Sequence, residues 1–473
     1  MSFLILILTF IFRIKDIFVP LSFDEGLYSY IGCVAIPSGG LPYSAVFDQK
    51  PILVYLPYYL GCILNNSPLS LRIIGFLLTY FTVLFLYTIF KKRFGHTTGL
   101  IVVLFELLFG NSQNFEGQYN LLSEQLIKLP LTLLLGLLLL RKPSNVFLYW
   151  FSFGLLISWI FLTKQTYLAL IIFPLFRLFQ LKVQRIQSIM YFLIGFVILP
   201  VFILSKYWLN GQLDWLWLGM FGYNIKYYVF SSNSNLWLWF KYFTFRLQWL
   251  WPPVLVLPLL ILNLLAKRDY RVFGLITGLY FVIGVYSIWL GGNRFFGHYF
   301  QLISFPALLT LGVAFAHILD NKISNHTLKK SIYITTIMIL CLVRIKAWHP
   351  NDFTYHKSQF SPQDEKAIFQ IVIKNQPSEK ILFVGNSSIF YFLYRLPLAL
   401  GNTIMTEVPF FQGHQDFYTK FISEFNSFPP HYIVIEDTHP LNQDNRFMGL
   451  LSKYKLLPKP DHLQIYLLNT NGK

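Results

Sequence analysis

The sequence predicts a polytopic α-helical membrane protein that carries a small α/β domain at its C-terminal end. Hydrophobic types make up 55% of the 473 residues and charged types only 12%, against roughly 25% charged in soluble domains. The charge is also unevenly placed. After Ala347 the chain holds 11 basic and 11 acidic residues, so the whole excess of +17 lies before that point. This composition excludes a soluble multidomain enzyme and a nucleic-acid-binding tail.

The apolar runs predict about eleven transmembrane helices, since a span needs roughly 20 residues. The predicted spans are 3–20, 69–90, 97–111, 121–140, 146–163, 166–181, 188–208, 247–266, 272–290, 300–319 and 331–346. The first is weak, because Arg13, Lys15 and Asp16 interrupt it. The run at 52–64 is too short to cross a bilayer and predicts an interfacial helix beside the membrane.

Basic residues alternate between the predicted loops and set the orientation of the chain. Every second loop is basic, and these loops hold 14 Lys and Arg residues against Asp269 and Asp320. Basic loops face the cytoplasm by the positive-inside rule. The extracytoplasmic face then carries the loop 21–68, the loop 209–246 and everything after about residue 347.

The last part of the chain differs in kind from the rest. Its short apolar runs at 381–385, 432–436 and 465–468 predict buried strands, with helical stretches between them. We therefore divide the chain into a transmembrane domain, residues 1–346, and a soluble extracytoplasmic α/β domain, residues 347–473.

The chain has three cysteines, Cys33, Cys62 and Cys341. They are far apart and lack the spacing of metal ligands. The sequence therefore predicts neither a structural zinc site nor a disulfide framework.

Charged residues gather on the predicted external face of the membrane domain. Seven of its ten acidic residues fall on or near that face, and Lys50, Lys164, Arg294 and His298 lie there at the mouths of spans. A charged group at the centre of a membrane helix costs about 2.5–3.5 kcal/mol on insertion scales, so such groups are usually paired or functional. The pattern predicts a site that handles a charged substrate at the membrane surface.

Each of these charged groups also has a plainer interpretation. Asp24 and Glu25 suit a general base or a ligand for a hard divalent ion, or they are solvated loop carboxylates. Lys50 suits a phosphate as a point charge, or it extends to the lipid headgroups. Arg294 and His298 suit a phosphate clamp, although a single histidine in such a turn is usually structural. The residue types alone leave these alternatives open.

Several motifs in order along the chain carry a resemblance to a known family. The first external loop contains Phe23-Asp24-Glu25-x-x-Tyr28, Gly40-Leu-Pro-Tyr43 and Asp48-Gln-Lys50-Pro51. Later motifs are Leu71-Arg72, Asn120-x-x-x-Glu124, Thr163-Lys164-Gln165, Asn224-x-x-Tyr227 and Arg294-x-x-x-His298-Tyr299. Over roughly residues 20–320 the chain resembles the GT-C membrane glycosyltransferases. It is most similar to glycosyltransferase family 39, which includes protein O-mannosyltransferases and aminoarabinose transferases.

The resemblance implies an inverting hexosyl- or pentosyltransferase, and the basic-loop pattern predicts that its active site and C-terminal domain are extracytoplasmic. The richness in Asn, Ile, Lys and Phe favours a plasma (inner) membrane, with the endoplasmic reticulum as the alternative. The resemblance also implies a polyprenyl-phosphate sugar donor and an acceptor that is a protein, a lipid or a glycan. Asp24 is implied as the base on the acceptor hydroxyl, with Glu25 as the reserve candidate. The implied donor-phosphate ligands are Lys50, Lys164, Arg294 and His298. The implied sugar or acceptor contacts are Tyr28, Glu116, Glu124, Tyr227 and Tyr299.

Two departures from the family pattern bear on cofactors and on the first loop. Gln49 stands where some relatives carry a metal-binding acid, and Ile52 replaces the second proline of a common Lys-Pro-Pro. No cofactor is therefore implied with certainty, and a divalent cation, Mg²⁺ or Mn²⁺, stays open. The sugar, the acceptor and the oligomeric state are not readable from the sequence.

Two other kinds of protein fit part of the pattern. A transporter or flippase for lipid-linked sugars or small anions would also have many spans and intramembrane charges. It predicts pseudo-symmetric halves, and the sequence shows no such repeat. A receptor-like scaffold that binds through the C-terminal domain leaves the charges at the external mouths of the spans unexplained.

The alternation of basic loops predicts that the C-terminal domain lies outside the cytoplasm. A reporter enzyme that is active only outside the cytoplasm should therefore be active when fused after Lys473, and a cytoplasm-specific reporter at the same place should be silent. As an internal control, a reporter placed after Arg93, in a predicted cytoplasmic loop, should show the opposite pattern. Cytoplasmic activity at Lys473 would contradict both the topology and the external site.

Overall fold

The structure, a computed structural model, describes most of the chain. The described ranges are 1–65, 67–110, 121–140, 145–179, 181, 184–226, 260–261, 264–265, 267–290, 297–322, 331, 335, 337–339, 341–342, 360–374, 380–396, 415–458 and 460–469. The predicted spans 247–266 and 331–346 lie largely outside these ranges.

The membrane part is built from helices. Their bounds are α1 Ser2–Arg13, α2 Phe23–Tyr30, α3 Leu56–Asn65, α4 Pro68–Phe94, α5 His96–Phe109, α6 Ser123–Leu126, α7 Lys128–Leu139, α8 Val146–Thr163, α9 Ile172–Phe179, α10 Arg185–Leu209, α11 Leu213–Trp217, α12 Arg271–Leu290 and α13 Gln301–Lys322. Shorter 3₁₀ or π turns are Ile14–Phe18, Ile31–Ala35, Ile52–Tyr55, Gln165–Ile171, Leu218–Gly222 and Gly297–Phe300.

Five helices in the described part of the chain, α4, α8, α10, α12 and α13, are long and apolar enough to cross a membrane. They coincide with the predicted spans at 69–90, 146–163, 188–208, 272–290 and 300–319. Four further predicted spans are shorter or interrupted here: α1 with its following turn, α5, α6 with α7, and the turn Gln165–Ile171 with α9. The count of eleven therefore stays a prediction.

Helix α4 shows how local sequence sets the ends of a span. The Ser67 side chain accepts a hydrogen bond from the Ser70 backbone N–H, and Pro68 occupies the first helical position. Lys91 to Arg93 fill the last turn, where positive charge is favourable. The helix ends at Gly95, whose φ of +100° favours glycine.

Helices α8 and α10 pack closely along their length, and two glycines permit this. A Cβ on Gly154 would lie 2.0 Å from the Phe192 carbonyl oxygen, and one on Gly195 would lie 2.1 Å from the Phe151 carbonyl oxygen. Small residues at such crossings let the two backbones approach closely. The resulting van der Waals contact stabilises the helix pair, because lipid provides no hydrophobic driving force between helices.

Helix α3 has one apolar face exposed and the other buried. Leu56, Leu60, Ile63 and Leu64 are each 40% or more exposed, whereas Tyr58 is fully buried. Their spacing of four, seven and eight residues places the exposed set on a single helix face. This is the arrangement expected of the interfacial helix predicted at 52–64.

The C-terminal part contains a four-stranded mixed sheet in the order β1-β2-β4-β3. The strands are β1 Ile381–Val384, β2 Tyr432–Glu436, β3 Tyr454–Leu456 and β4 Leu463–Leu468, and the helices are α14 Pro362–Lys374, α15 Ile389–Tyr394, α16 Gln415–Ser427 and α17 Asn445–Leu451. Strands β1 and β2 are parallel, and the other two pairs are antiparallel. Strands β1, β2 and β4 lie where the sequence predicts them. Strand β3 was missed, because two of its three side chains are exposed.

The C-terminal domain packs directly on helix α2 of the first external loop. The Tyr30 hydroxyl donates to the Leu396 carbonyl at 3.1 Å, and the Tyr30 and Tyr391 rings are 5.9 Å apart. Gly26 lets α15 approach, since a Cβ there would lie 3.1 Å from the side chain of Ile389. One buried apolar cluster continues from the loop into the sheet.

The prediction that the cysteines form no disulfide is wrong for one pair. Cys33, in the π turn after α2, is bonded to Cys62 in α3, with their Cα atoms 5.4 Å apart. The spacing of 29 residues hid the pair, because only the fold brings α3 back beside the turn. The bond closes the part of the first loop that contains Asp48 and Lys50.

Candidate active site

Helix α2 begins with a capping box that fixes its first turn. The Ser22 side chain accepts from the Glu25 backbone N–H, and the Ser22 backbone N–H donates to Glu25 Oε2 at 2.9 Å. This Ser-x-x-Glu pattern satisfies two backbone donors at a helix start. It also turns the side chain of Glu25 back toward the body of the protein.

Glu25 forms a fully buried ion pair with Arg72 of α4. Arg72 Nη1 lies 2.6 Å from Glu25 Oε1, and Nη2 lies 2.9 Å from Oε2. Glu25 Oε1 also accepts the Leu121 backbone N–H at 2.8 Å. With 0% exposure and both oxygens bonded, Glu25 anchors three segments of the chain.

Asp24 precedes Glu25 and is oriented differently. It is partly exposed. Its charge is close enough to raise the pKa values of Tyr28 and Lys50, although burial is the larger influence on each. Of the two adjacent acids, Asp24 is therefore the one that faces the other predicted site residues.

Lys50 lies on the wall of a cavity of about 210 Å³. Burial lowers its pKa, but Tyr299, Asp24, Glu124 and Asp48 outweigh burial and raise the pKa well above its usual value. No carboxylate among the described residues is within ion-pair distance of its ammonium group. Lys50 thus keeps its charge while remaining available to an anion.

Lys164 lies on the same cavity and is already paired. Its Nζ is 2.5 Å from Glu124 Oε1 and 4.7 Å from the centre of the Tyr299 ring. Glu124 is 2% exposed and Tyr299 is 8% exposed. The fold therefore brings together four residues that the sequence predicted separately: Lys50, Lys164, Glu124 and Tyr299. Of these four, Lys50, Lys164 and Tyr299 line the cavity, together with Gln49, Pro51, Ser123, Gln165, Thr166, Met220, Phe221, Asn224, Ile225, Ser287 and Leu290.

The remaining predicted site residues are placed differently or lie outside the described residues. Tyr28 is 1% exposed and packs edge-on against Tyr55 and Tyr58, so it belongs to the core of the loop. Glu116, Tyr227 and Arg294 lie outside the described residues, and only the backbone of His298 is described, in the turn Gly297–Phe300.

Asp48 was missed as a site residue. It is 3% exposed, its Oδ2 accepts from the Tyr55 hydroxyl at 2.8 Å, and its Oδ1 accepts from the Gln49 backbone N–H at 2.7 Å. Burial raises its pKa to about 6, although the charge of Lys50 and the Tyr55 hydrogen bond act in the opposite direction. Its signal in the sequence was its position in the same motif as Lys50.

A metal site was left open by the sequence. The described residues contain no group of three or more His, Cys, Asp or Glu side chains arranged to hold a metal ion. At the position where some relatives carry a metal-binding acid, Gln49 is held by its backbone, whose carbonyl accepts from Asn224 Nδ2 at 2.9 Å.

Comparison with known proteins supports the resemblance. The family model of dolichyl-phosphate-mannose-protein mannosyltransferases matches residues 48–208, about a third of the chain. No curated protein sequence matches the chain.

Among solved structures, ArnT from Cupriavidus metallidurans bound to undecaprenyl phosphate is similar at 11% identity with a TM-score of 0.63, over 97% of this chain and 96% of that one. The apo form of the same protein is similar at 12% identity with a TM-score of 0.63, over 96% and 95%. The oligosaccharyltransferase AglB from Archaeoglobus fulgidus, in complex with an inhibitory peptide and a dolichol-phosphate, is similar at 12% identity with a TM-score of 0.53, over 100% and 74%. At these identities the shared property is the fold. The predicted resemblance to the GT-C glycosyltransferases, closest to family 39, is confirmed.

The different surroundings of the two adjacent acids predict different effects on stability. Glu25→Gln should destabilise the protein by about 3–5 kcal/mol, because it leaves Arg72 buried without its counter-charge. Asp24→Asn, the matched control, should change stability by about 0.5 kcal/mol or less, as is usual away from buried networks. The measurement is the temperature at which half of the detergent-solubilised protein has lost its monodisperse state, compared between the two variants. Equal stability of the two variants would contradict the anchoring role of Glu25.

Proposed function

We propose that this protein transfers a sugar from a polyprenyl-phosphate-linked donor to an acceptor hydroxyl at the extracytoplasmic membrane face, with inversion at the sugar carbon. The observation that carries the proposal is the charged cavity, which Lys50, Lys164 and Tyr299 line, with an apolar groove beside it. A lipid-linked phosphate fits both surfaces, because its phosphate suits the two lysines and its hydrocarbon chain suits the apolar groove.

The apolar groove has a volume of about 280 Å³. It lies between α8, α10 and α11, and its lining is Phe161, Leu162, Pro200, Ile203, Leu204, Leu213, Leu216, Trp217, Met220 and Phe221. Met220 and Phe221 also line the charged cavity, so the two spaces meet. Leu204 and Trp217 are 48% and 60% exposed on a helical surface suited to lipid. A prenyl chain can therefore run from the bilayer into the groove with its phosphate beside the two lysines.

The reaction follows from the residues around the cavity. The acceptor oxygen attacks the sugar carbon from the face opposite the phosphate, and Asp24 accepts the hydroxyl proton. The bond between that carbon and the phosphate oxygen breaks, and its electron pair leaves with the polyprenyl phosphate. Lys50 stabilises the charge that develops on the leaving phosphate, in the way that fixed cationic groups lower such barriers. Lys164, Arg294 and His298 are the further proposed phosphate ligands.

Glu124 and Tyr299 are proposed to contact the sugar. Glu124 is 2% exposed and holds Lys164 at the cavity wall through their ion pair, so its own contact with the sugar stays a prediction. Tyr299 presents a ring beneath Lys164. The roles of Glu116 and Tyr227 stay predictions.

The Cys33–Cys62 bond supports the proposed side of the membrane. Disulfides persist in oxidising compartments and are rare in the cytoplasm. The bond lies in the loop 21–68, which the basic-loop pattern independently assigns to the external face. These two arguments support an extracytoplasmic site, and the plasma membrane stays a prediction.

The transporter alternative has less support. The similar structures are transferases of one superfamily, and their likeness extends over nearly the whole chain. The charged cavity of about 210 Å³ and the groove that meets it account for the external charges without a translocation path.

Asp24→Asn should lower sugar transfer by about 10²–10⁴-fold, the usual loss when a general base is removed. Binding of undecaprenyl phosphate should stay nearly unchanged, because the carboxylate acts on the acceptor. The assay follows labelled sugar from a purified polyprenyl-phosphate donor into acceptors of membranes that lack the protein. Asp214→Asn is the matched control, since Asp214 is an exposed acid on the proposed external side. Wild-type transfer by Asp24→Asn would remove Asp24 as the base.

Filling the groove should discriminate between lipid tails. Ile203→Trp should weaken the binding of undecaprenyl phosphate about tenfold, which corresponds to the loss of roughly two buried methylene groups. Binding of dimethylallyl phosphate, with a single isoprene unit, should change little. Phe202→Trp is the control, because Phe202 directly precedes Ile203 in α10, is 63% exposed and does not line the groove. Equal weakening of both ligands would show that the tail lies elsewhere.

A further inference from the structure

Asp48 is a buried carboxylate for which the proposed reaction has no use. It lies in the external loop two residues before Lys50, and it has 3% exposure. Its two oxygens are taken by the Tyr55 hydroxyl and the Gln49 backbone N–H. A carboxylate that is closed off in this way cannot reach an acceptor hydroxyl, so a role as a second base is excluded.

Asp48 belongs to a set of contacts that hold the backbone of Lys50. The segment 48–51 has no helical or strand hydrogen bonding of its own. The Tyr43 hydroxyl donates to the Lys50 carbonyl at 2.7 Å, and Asn224 Nδ2 donates to the Gln49 carbonyl at 2.9 Å. The Tyr55 hydroxyl donates to Asp48 and lies 3.4 Å from the Lys50 carbonyl oxygen. Two peptide units of the segment, 49–50 and 50–51, are thus held from outside it, and the N–H of the unit before them is held by the Asp48 side chain.

Tyr55 returns to this segment because of Pro51. Pro51, at φ −60°, leads into the 3₁₀ turn Ile52–Tyr55, which brings the Tyr55 hydroxyl back over Asp48. Tyr55 is 1% exposed and its ring packs on those of Tyr28 and Tyr43. Asp48 therefore links a rigid aromatic core to the lysine that faces the cavity.

The charged and titratable groups around Asp48 are Lys50, Asp24, Tyr55, Tyr28 and Tyr43. Burial raises the pKa of Asp48 to about 6, Lys50 and Tyr55 lower it, and Asp24 raises it. Burial, the largest cause for each ring, raises the pKa values of Tyr28, Tyr43 and Tyr55 well above their usual range. The three tyrosines are therefore neutral donors at neutral pH, and Asp48 is the group here that titrates near it.

The ionised form of Asp48 costs the fold stability. A carboxyl whose pKa is higher in the folded than in the unfolded state loses folding free energy as pH rises from its unfolded pKa to its folded pKa. At neutral pH the protein therefore carries an anion that it would be more stable without. Groups retained at such a cost are typical of functional sites.

We propose that Asp48 is a positioning residue that, through Tyr55 and the 48–51 backbone, holds Lys50 in the place where it meets the phosphate of the lipid-linked donor. The inference rests on the proposed function, because it takes Lys50 as a phosphate ligand. It adds a residue that neither touches the substrate nor was assigned a role from the sequence.

The direction in which Asp48→Asn changes phosphate affinity distinguishes a positioning role from a purely electrostatic effect of the carboxylate. If Asp48 were only a nearby negative charge, Asp48→Asn would tighten phosphate binding by removing a repulsion. If Asp48 positions Lys50, the same change should weaken binding about fivefold, because the lysine is no longer held where its charge acts. The two accounts therefore predict opposite directions.

The experiment is a double-mutant cycle with undecaprenyl phosphate as the probe and the purified full-length protein at pH 7.5. Lys50→Ala should weaken binding about tenfold and Asp48→Asn about fivefold, while the double variant should bind no more weakly than Lys50→Ala, because Asp48 acts only through Lys50. Tyr55→Phe should weaken binding about two- to threefold, since it removes the donor and keeps the ring. Asp214→Asn is the matched control and should bind as the wild type does.

Two further readouts distinguish positioning from a merely structural role. The unfolding temperature of Asp48→Asn at pH 7.5 should be equal to or above that of the wild type, whereas loss of a structural carboxylate would lower it. At pH 5 the wild-type carboxyl is mostly protonated and resembles the amide, so the fivefold difference in affinity should shrink toward onefold. The titration of the probe itself cancels in this ratio, because both proteins bind the same ligand.

The possible failures point to different claims. If the wild type binds undecaprenyl phosphate no better than undecaprenol, the lipid-phosphate donor is wrong and both proposals fall. Suppose instead that the wild type prefers undecaprenyl phosphate to undecaprenol. If Asp48→Asn then binds the phosphate more tightly than the wild type, or lowers affinity by the same factor in the Lys50→Ala protein as in the wild type, only the positioning role is overturned. A fivefold loss that is absent from that background and diminishes at pH 5 supports it.

Discussion

The buried ion pair between Glu25 and Arg72 is the contact on which the arrangement of the loop 21–68 depends. Arg72 also donates to the carbonyls of Val19 and Pro20, at 2.9 and 2.6 Å, and Glu25 also accepts the Leu121 N–H. Buried charges are expensive unless every polar atom finds a partner. Here the partners come from the link before α2, from α2, from α4 and from the segment before α6, so the pair has one geometry. That geometry fixes α2 against the membrane helices.

Once α2 is fixed, two other surfaces acquire their places. Asp24 precedes the anchored Glu25 and is thereby held toward Lys50 and Tyr28. On another side of the helix, Gly26 contacts α15 and Tyr30 contacts Leu396, just after α15. A single short helix thus carries the proposed base, the structural anchor and the docking face of the C-terminal domain. The disulfide at Cys33 ties the end of the same segment to the interfacial helix α3.

The two lysines of the cavity differ in how close their nearest carboxylate lies. This difference suits the proposed phosphate ligand, which must bind and then leave. Lys164 has a carboxylate at 2.5 Å, so much of its charge is already offset. Lys50 has carboxylates that act on it from farther away, which keeps it protonated without occupying it. Under the proposed function, a phosphate could therefore take Lys50 as a partner without breaking an ion pair among the described residues. The carboxylates and rings around Lys50, Asp48 among them, stabilise its charge.

The sequence by itself determined the class of the fold and predicted members for the site, and the tertiary structure decided which of the described ones lie together and which are buried in other contacts. Composition and apolar runs report which segments avoid water, so five long spans, the interfacial helix and three buried strands could be predicted locally. Charge placement predicted that Lys50, Lys164 and Glu124 belong to one face. Which of Asp24 and Glu25 is anchored, that Asp48 is closed off beneath Lys50, and that Cys33 meets Cys62 could not be predicted. The partners that settle these points are 47 and 96 residues away for Glu25 and 29 residues away for Cys33, and chain separation carries no signal of contact until the helices have packed.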